Sequence, residues 1–229
     1  MKQAFVSWIG GKDCCQALYR AVQQGFQIAC LLNTVTNDKR HSCSHGLSTR
    51  WIHLQAEAMG LPLLQPPTTS SNYEAVFTSN LKKLKSQGVN YGIFGDIDFE
   101  PHLEWITRVC SGAGVMPVLP LWQQHQEDIA NSFIDLGYKA IVVATQADLM
   151  GEEWLGKKYD KLFLKQLTSF NDEISPCGEA GEFHTLVVDG PLFKKRLEVK
   201  IGEREKRNNN WYLKINRCEL VEKSGEAQL

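Results

Sequence analysis

AFVSWIGGKDCCQALYRAVQQ, residues 4–24, decides the fold: an apolar run breaks at two glycines and resumes as a helical pattern. Ala4, Phe5, Val6, Trp8 and Ile9 suit a buried strand. Ala17, Leu18, Ala21 and Val22 recur at the spacing of a helix face. The stretch therefore reads as strand, tight turn, helix, with Gly10, Gly11, Lys12 and Asp13 in the turn. Paired glycines let the backbone approach a ligand, the free amides of a helix start attract an anion, and lysine adds positive charge. The spacing excludes two phosphate motifs. A Walker loop needs glycine where Val6 stands and Ser or Thr where Asp13 stands. The dinucleotide fingerprint needs a third glycine at the helix opening, which is missing.

Working outward, residues 28–35 (IACLLNTV) read as a second buried strand, implying a parallel, right-handed strand–helix–strand unit. Residues 38–49 are polar and hold His41, Cys43 and His45 at alternate positions. No second ligand pair completes a tetrahedron, so this is expected to be a mobile loop near a ligand rather than a metal site. Residues 51–59 read as a helix stopped by Gly60, residues 61–65 as a short strand, and residues 73–87 as a helix stopped by Gly88. In that helix Tyr73, Val76, Phe77, Leu81 and Leu84 share a face, and Lys82, Lys83 and Lys85 form a solvated one. Residues 89–94 form the next strand and run into Gly95, Asp96, Ile97 and Asp98. In open parallel sheets ligands collect beyond the carboxyl ends of strands, so at least one of these acids is expected to face a site. The competing use is capping of the helix at residues 102–111. Residues 115–121 close the set, with prolines that suit an edge strand.

After Trp122 the character changes. Residues 127–136 read as a helix, 139–145 as a strand, and 160–167 as a helix with Leu162, Phe163 and Leu167 inward. Residues 175–185, SPCGEAGEFHT, are compact and polar. Residues 197–205 and 211–220 alternate around Arg207, Asn208, Asn209 and Asn210 as a hairpin does, and residues 224–229 are expected to be disordered. The expectation is an α/β protein: a doubly wound, Rossmann-like parallel sheet over residues 1–123 and a smaller α+β domain over 124–229.

Composition narrows the function. A 43% hydrophobic fraction over 229 residues supports a packed core, and no apolar run is long enough to span a membrane. The N-terminus lacks a signal-peptide layout, so a soluble cytoplasmic protein is expected. Seven cysteines, an odd number without a C-x-x-C pair, suit reduced thiols. Lys plus Arg number 25 against 26 Asp plus Glu, without the basic excess of a chain that grips a polynucleotide. Two stretches carry more chemistry than structure requires: the turn from Gly10 to Cys14, and the loop with Cys177, Glu179, Glu182 and His184. Glutamates and an imidazole supply acid, base or magnesium-binding groups, although composition leaves a structural turn equally open.

The GGKD turn resembles the SGGKDS pyrophosphate loop of N-type ATP pyrophosphatases. With FGDID (94–98), HLEW (102–105), PLW (120–122), CGEAGEFHT (177–185) and VDGPLF (188–193), nearly the whole chain is similar to the diphthine–ammonia ligase family and its bacterial and archaeal branch. The resemblance implies adenylation of a diphthine-like carboxylate on elongation factor 2, with release of pyrophosphate, followed by displacement of AMP by ammonia. By position it implies that Gly10, Gly11, Lys12, Asp13 and Cys14 hold the ATP phosphates and that Asn33 and Thr34 lie near the adenosine. Gly95, Asp96 and Asp98 would border the nucleotide, the two acids through Mg2+. Lys12, Glu179, Glu182 and His184 would be catalytic, the last three facing the acceptor and ammonia. Ile9 and Cys14 replace the two serines of the pattern, which weakens hydroxyl donation to phosphate. Cys14 at a helix start has the position of a reactive thiol, but a thiolate beside pyrophosphate would be repelled, which favours a neutral serine substitute. Cys15 is expected in the core. Another acceptor, RNA modification included, and a nucleotide sensor without turnover stay open. So does the oligomeric state, a homo-oligomer included.

Overall fold

The first strand is apolar on both faces because it is covered on both faces. The computed structural model describes residues 2–43 and 47–223. In chain order the first half runs β1 (Lys2–Ser7), α1 (Lys12–Gln23), β2 (Phe26–Leu32), β3 (Val35–Thr36), α2 (Thr49–Met59), β4 (Leu63–Leu64) and β5 (Pro67–Thr68). It continues with α3 (Tyr73–Ser86), β6 (Tyr91–Ile93), α4 (Glu100–Ala113) and β7 (Met116–Val118). Five of these strands form a parallel sheet in the order β4-β2-β1-β6-β7. Side chains alternate across a strand. Ala4 and Val6 pack into one core with Leu18 of α1 and Ile52 of α2, while Phe5 packs into a second core with Phe77 and Leu81 of α3 and Ile106 of α4. Helices thus lie on both faces, and the expected doubly wound architecture is present.

The second half contains α5 (Gln126–Asp135), β8 (Lys139–Gln146), a 3-10 turn at Glu152–Trp154, α6 (Lys161–Phe170), β9 (Phe183–Asp189), β10 (Lys195–Arg207) and β11 (Asn210–Glu222). Its strands form an antiparallel sheet in the order β10-β11-β8-β9, with β10 and β11 as the expected hairpin. One hydrophobic cluster runs through both halves, from Ala4 and Leu18 to Phe183, Leu197 and Cys218.

Several local expectations differ in detail. The strand at residues 28–35 is two strands: β2 ends at Leu32, and after Asn33 and Thr34 the chain resumes as β3, which pairs with β5. Leu162 is 62% exposed: in α6 only Phe163 and Leu167, one turn apart, turn inward, and Leu162 lies about 100° off that face. Asp160 caps α6 by accepting the Phe163 amide at 2.9 Å. Pro117 lies in β7 at the sheet edge, as its sequence suggested. Cys15 is buried in the core. His45 and residues 224–229 lie outside the described residues, so the expectations for them fall there too.

Candidate active site

β1 is the centre of the sheet, with β2 on one side and β6 on the other, so the chain reverses direction across the sheet between β1 and β6. Such a switch point opens a crevice beyond the carboxyl ends of the strands. A cleft of about 470 Å³ lies there. It is lined by Ser7 and Ile9 after β1, Lys12, Asp13 and Cys14 opening α1, Gly95 and Asp96 after β6, and Phe99 and His102 at the start of α4. The other wall comes from the second half, with Cys177, Glu179, Phe183, His184 and Thr185 among its residues.

The turn into α1 depends on two glycines. Gly10 has φ of +81°, and a Cβ there would meet Ile52 at 2.6 Å and the Gln55 oxygen at 2.7 Å. Gly95 is pressed against α1, with its missing Cβ only 2.8 Å from the Asp13 carbonyl carbon and the Cys14 nitrogen. Beneath the turn, buried Gln55 donates to the carbonyls of Gly10 (2.9 Å) and Val187 (2.7 Å) and accepts from the Trp8 indole (3.1 Å). The Val187 amide also donates to Gly10, at 3.0 Å, so β9 clasps the turn. Gly11, the N-cap of α1, brings no side-chain cap. That leaves a helix start suited to an anion.

Lys12 is only 4% exposed. Its Nζ donates to Asp13 Oδ2 at 2.8 Å and to the Cys177 carbonyl, and lies over the rings of Phe183 (5.4 Å) and Tyr159 (5.7 Å). Burial alone would lower the Lys12 pKa, but Asp13 and then Cys177 and Glu179 outweigh it and hold the ammonium above its ordinary value. Burial raises Asp13 more than Lys12 lowers it. Asp13 Oδ1 is buried with no hydrogen-bond partner among the described residues. Burial acts to raise the Cys14 thiol as well, yet Cys15 and the amides of Ile9 and Gly10 bring it below its usual value. That thiol is buried and donates to the Gly11 carbonyl at 3.1 Å.

Glu179 reaches the cleft from a loop tied to the first half. Its Oε1 accepts the Ile97 amide at 3.0 Å. Its own amide donates to Ser175 Oγ at 3.2 Å, Ser175 donates to Gln126 Oε1, and Gln126 Nε2 donates to Asp98 Oδ2 at 2.6 Å. Burial pushes the Glu179 carboxyl up to about 7, although the Ile97 amide opposes it. Burial, helped by Lys12, takes His184 down to about 4 and keeps it neutral near neutral pH. Burial lifts Cys177 to about 12, so it stays a thiol. His102 Nδ1 lies 2.9 Å from Asp96 Oδ1, and that bond raises the imidazole pKa against the opposing effect of partial burial.

The cleft therefore gathers Lys12, Asp13, Cys14, Gly95, Asp96, Glu179 and His184 from the sequence expectations. Other residues lie elsewhere. Asn33 is buried, donating to the Trp8 carbonyl (2.8 Å) and Ser42 Oγ (3.0 Å), and Thr34 is buried beside it in the chain; neither lines the cleft. Glu182 is 4% exposed and outside the lining, with Oε1 accepting the Ser175 amide at 3.0 Å. Asp98 is exposed, is bonded to Gln126 and does not join Asp96 in the lining. Neither acid caps α4, whose N-cap is Phe99. Among the described residues no three His, Cys, Asp or Glu side chains are grouped to hold a metal. Sequence reasoning passed over Ser7, Phe99, His102 and Thr185 as site residues. His102 and Thr185 stand inside quoted motifs, whereas Ser7 and Phe99 carry no local signal.

The diphthamide synthase N-terminal domain model matches residues 1–117 and the C-terminal domain model residues 125–221. The chain belongs to the diphthamide synthase family. Among its relatives, the diphthine–ammonia ligase of Mus musculus is 29% identical, over 93% of this chain and 91% of its own length. That of Bos taurus is 30% identical over 85% and 81%. That of Schizosaccharomyces pombe is 29% identical over 91% of this chain, which spans 38% of the longer yeast protein. A crystal structure of a predicted subunit of tRNA methyltransferase from Methanocaldococcus jannaschii DSM is similar at a TM-score of 0.48 and 13% identity, over 82% of this chain and 97% of that one, too distant to bear on function. No helix among the described residues of this family member is long and apolar enough to cross a membrane.

Proposed function

We propose that this chain is an AMP-forming carboxylate–ammonia ligase that adenylates a diphthine-like carboxylate with ATP and then amidates it. The observation that carries the reading is the shared cleft: the start of α1, whose N-cap Gly11 brings no side-chain cap of its own, and the carboxylate of Glu179 line one cavity, from opposite halves of the chain. Residues 1–123 would act as the ATP-binding unit and 124–229 as the acceptor unit, meeting at that cavity.

A carboxylate resists amidation until its oxygen becomes part of a good leaving group. In the first step the acceptor oxygen attacks the α-phosphorus of ATP and pyrophosphate leaves. The amides opening α1 and the Lys12 charge would oppose the negative charge that collects on the departing phosphates. In the second step ammonia attacks the acyl carbon, AMP leaves, and the surplus proton on nitrogen needs a base. Glu179, whose pKa lies near 7, would take it, and neutral His184 would accept a hydrogen bond beside it. The chemistry of the cleft also fits a magnesium ion carried by ATP. Asp13 has a buried oxygen without a hydrogen-bond partner among the described residues, and Asp96 lines the same cleft, so these two would hold it. Such an ion would supply further neutralisation of phosphate charge.

Pyrophosphate–ATP exchange tests the first step. With a diphthine-bearing elongation factor and no ammonia, label from pyrophosphate is expected to enter ATP. Exchange that ignores the acceptor, or ADP as the product, would contradict this function.

A further inference from the structure

The loop lacks both serines of the pyrophosphate pattern. Ile9 lines the cleft with no polar atom on its side chain, and the Cys14 thiol is spent on the Gly11 carbonyl 3.1 Å away. A hydroxyl from the other half of the chain stands at the same helix start. Thr185, on β9, is 2% exposed, lines the cleft, and accepts the Lys12 amide on its Oγ1 at 3.1 Å. It caps the first turn of α1 from 173 residues away.

A threonine hydroxyl has two lone pairs and one hydrogen. The Lys12 amide uses a lone pair and fixes where the oxygen sits. That bond leaves the hydroxyl hydrogen for a partner other than the Lys12 amide, and the side chain lines the cleft. It stands beside the start of a helix that has no cap of its own.

We propose that Thr185 is a phosphate-binding residue: its hydroxyl donates to a phosphate oxygen of ATP and replaces the donors lost at Ile9 and Cys14. This rests on the nucleotide reading above and extends it, because the phosphate site is then completed by β9. The half of the chain that faces the acceptor also finishes the nucleotide site.

Isothermal calorimetry on the full chain with ATP, inorganic pyrophosphate and adenosine tests the assignment. T185V removes the hydroxyl at nearly constant shape. It is expected to weaken ATP and pyrophosphate by about tenfold or more, the scale of a lost hydrogen bond to a charged group. Adenosine binding should be unchanged, and T185S should stay close to wild type. Adding I9S to T185V is expected to recover part of the ATP affinity and none for adenosine. If T185V does not fold, T185C carries the same expectation, since a thiol keeps a polar group in place but donates weakly. Binding of ATP by T185V within twofold of wild type would overturn the inference alone. So would equal weakening of all three ligands, the mark of a helix cap with only a structural role. A wild-type protein that binds none of the three overturns the inference together with the nucleotide reading.

Discussion

Glu179 carries two testable consequences of one electrostatic fact. Its carboxyl is pushed from an ordinary value of 4.5 to about 7, first by burial. An acid with a raised folded pKa contributes stability below its unfolded pKa and loses that contribution as pH rises through the folded one. For Glu179 the window runs from about 4.5 to about 7. Glu179→Gln is neutral throughout, so in thermal melts it should gain on wild type across that window and match it below. A gain that grows toward acid would contradict the assignment. If Glu179 is the base, amide formation should rise with pH through about 7. The Gln variant should lose about a hundredfold or more in rate, read from the initial velocity of amide formation at pH 8. Glu179 and Lys12 were legible in the sequence because glycine-rich turns with charged groups announce themselves. The Thr185 hydroxyl and the Gln126 link to Asp98 were not. Their roles come from tertiary contacts, 173 and 28 residues away in the chain, and nothing beside them in sequence encodes those distances.

The strand–turn–helix of β1 and α1 was readable from its pattern alone, because burial on both faces demands a continuous apolar strand and the turn demands glycine. What holds the turn was not readable. Gln55 sits on α2, where a helical pattern marks it as one more polar residue, yet it is fully buried and feeds the carbonyls of Gly10 and Val187. Replacing it with leucine leaves a buried acceptor and the Trp8 indole without their partners. Urea denaturation of Gln55→Leu is expected to show a loss of about 2 kcal/mol or more. A loss under about 0.5 kcal/mol, the range of ordinary surface changes, would show that the turn stands without it. Gly10→Ala should fail more severely, since its Cβ would strike α2 and its φ of +81° is strained for alanine. Soluble yield and melting temperature check that.

At the scale of the molecule, the change of character after Trp122 signalled a second unit. It did not signal that both units share a core, because which apolar faces meet depends on packing rather than on local pattern. The cluster from Ala4 and Leu18 to Phe183 and Cys218 ties the parallel sheet to the antiparallel one. Urea unfolding is therefore expected to give one transition by fluorescence and by circular dichroism. Residues 1–123 alone should lack a cooperative transition, and two well-separated transitions in the full chain would contradict the shared core. The same union places the α1 turn and Glu179 in one cleft, and the proposed ligase reaction would use both. The most direct test follows ATP, magnesium, ammonia and a diphthine-bearing elongation factor together, with AMP measured by chromatography and the acceptor by mass spectrometry. The account predicts AMP and acceptor amide in equal amounts, each dependent on ammonia. ADP as the product, or AMP formed without amide when ammonia is present, would contradict it.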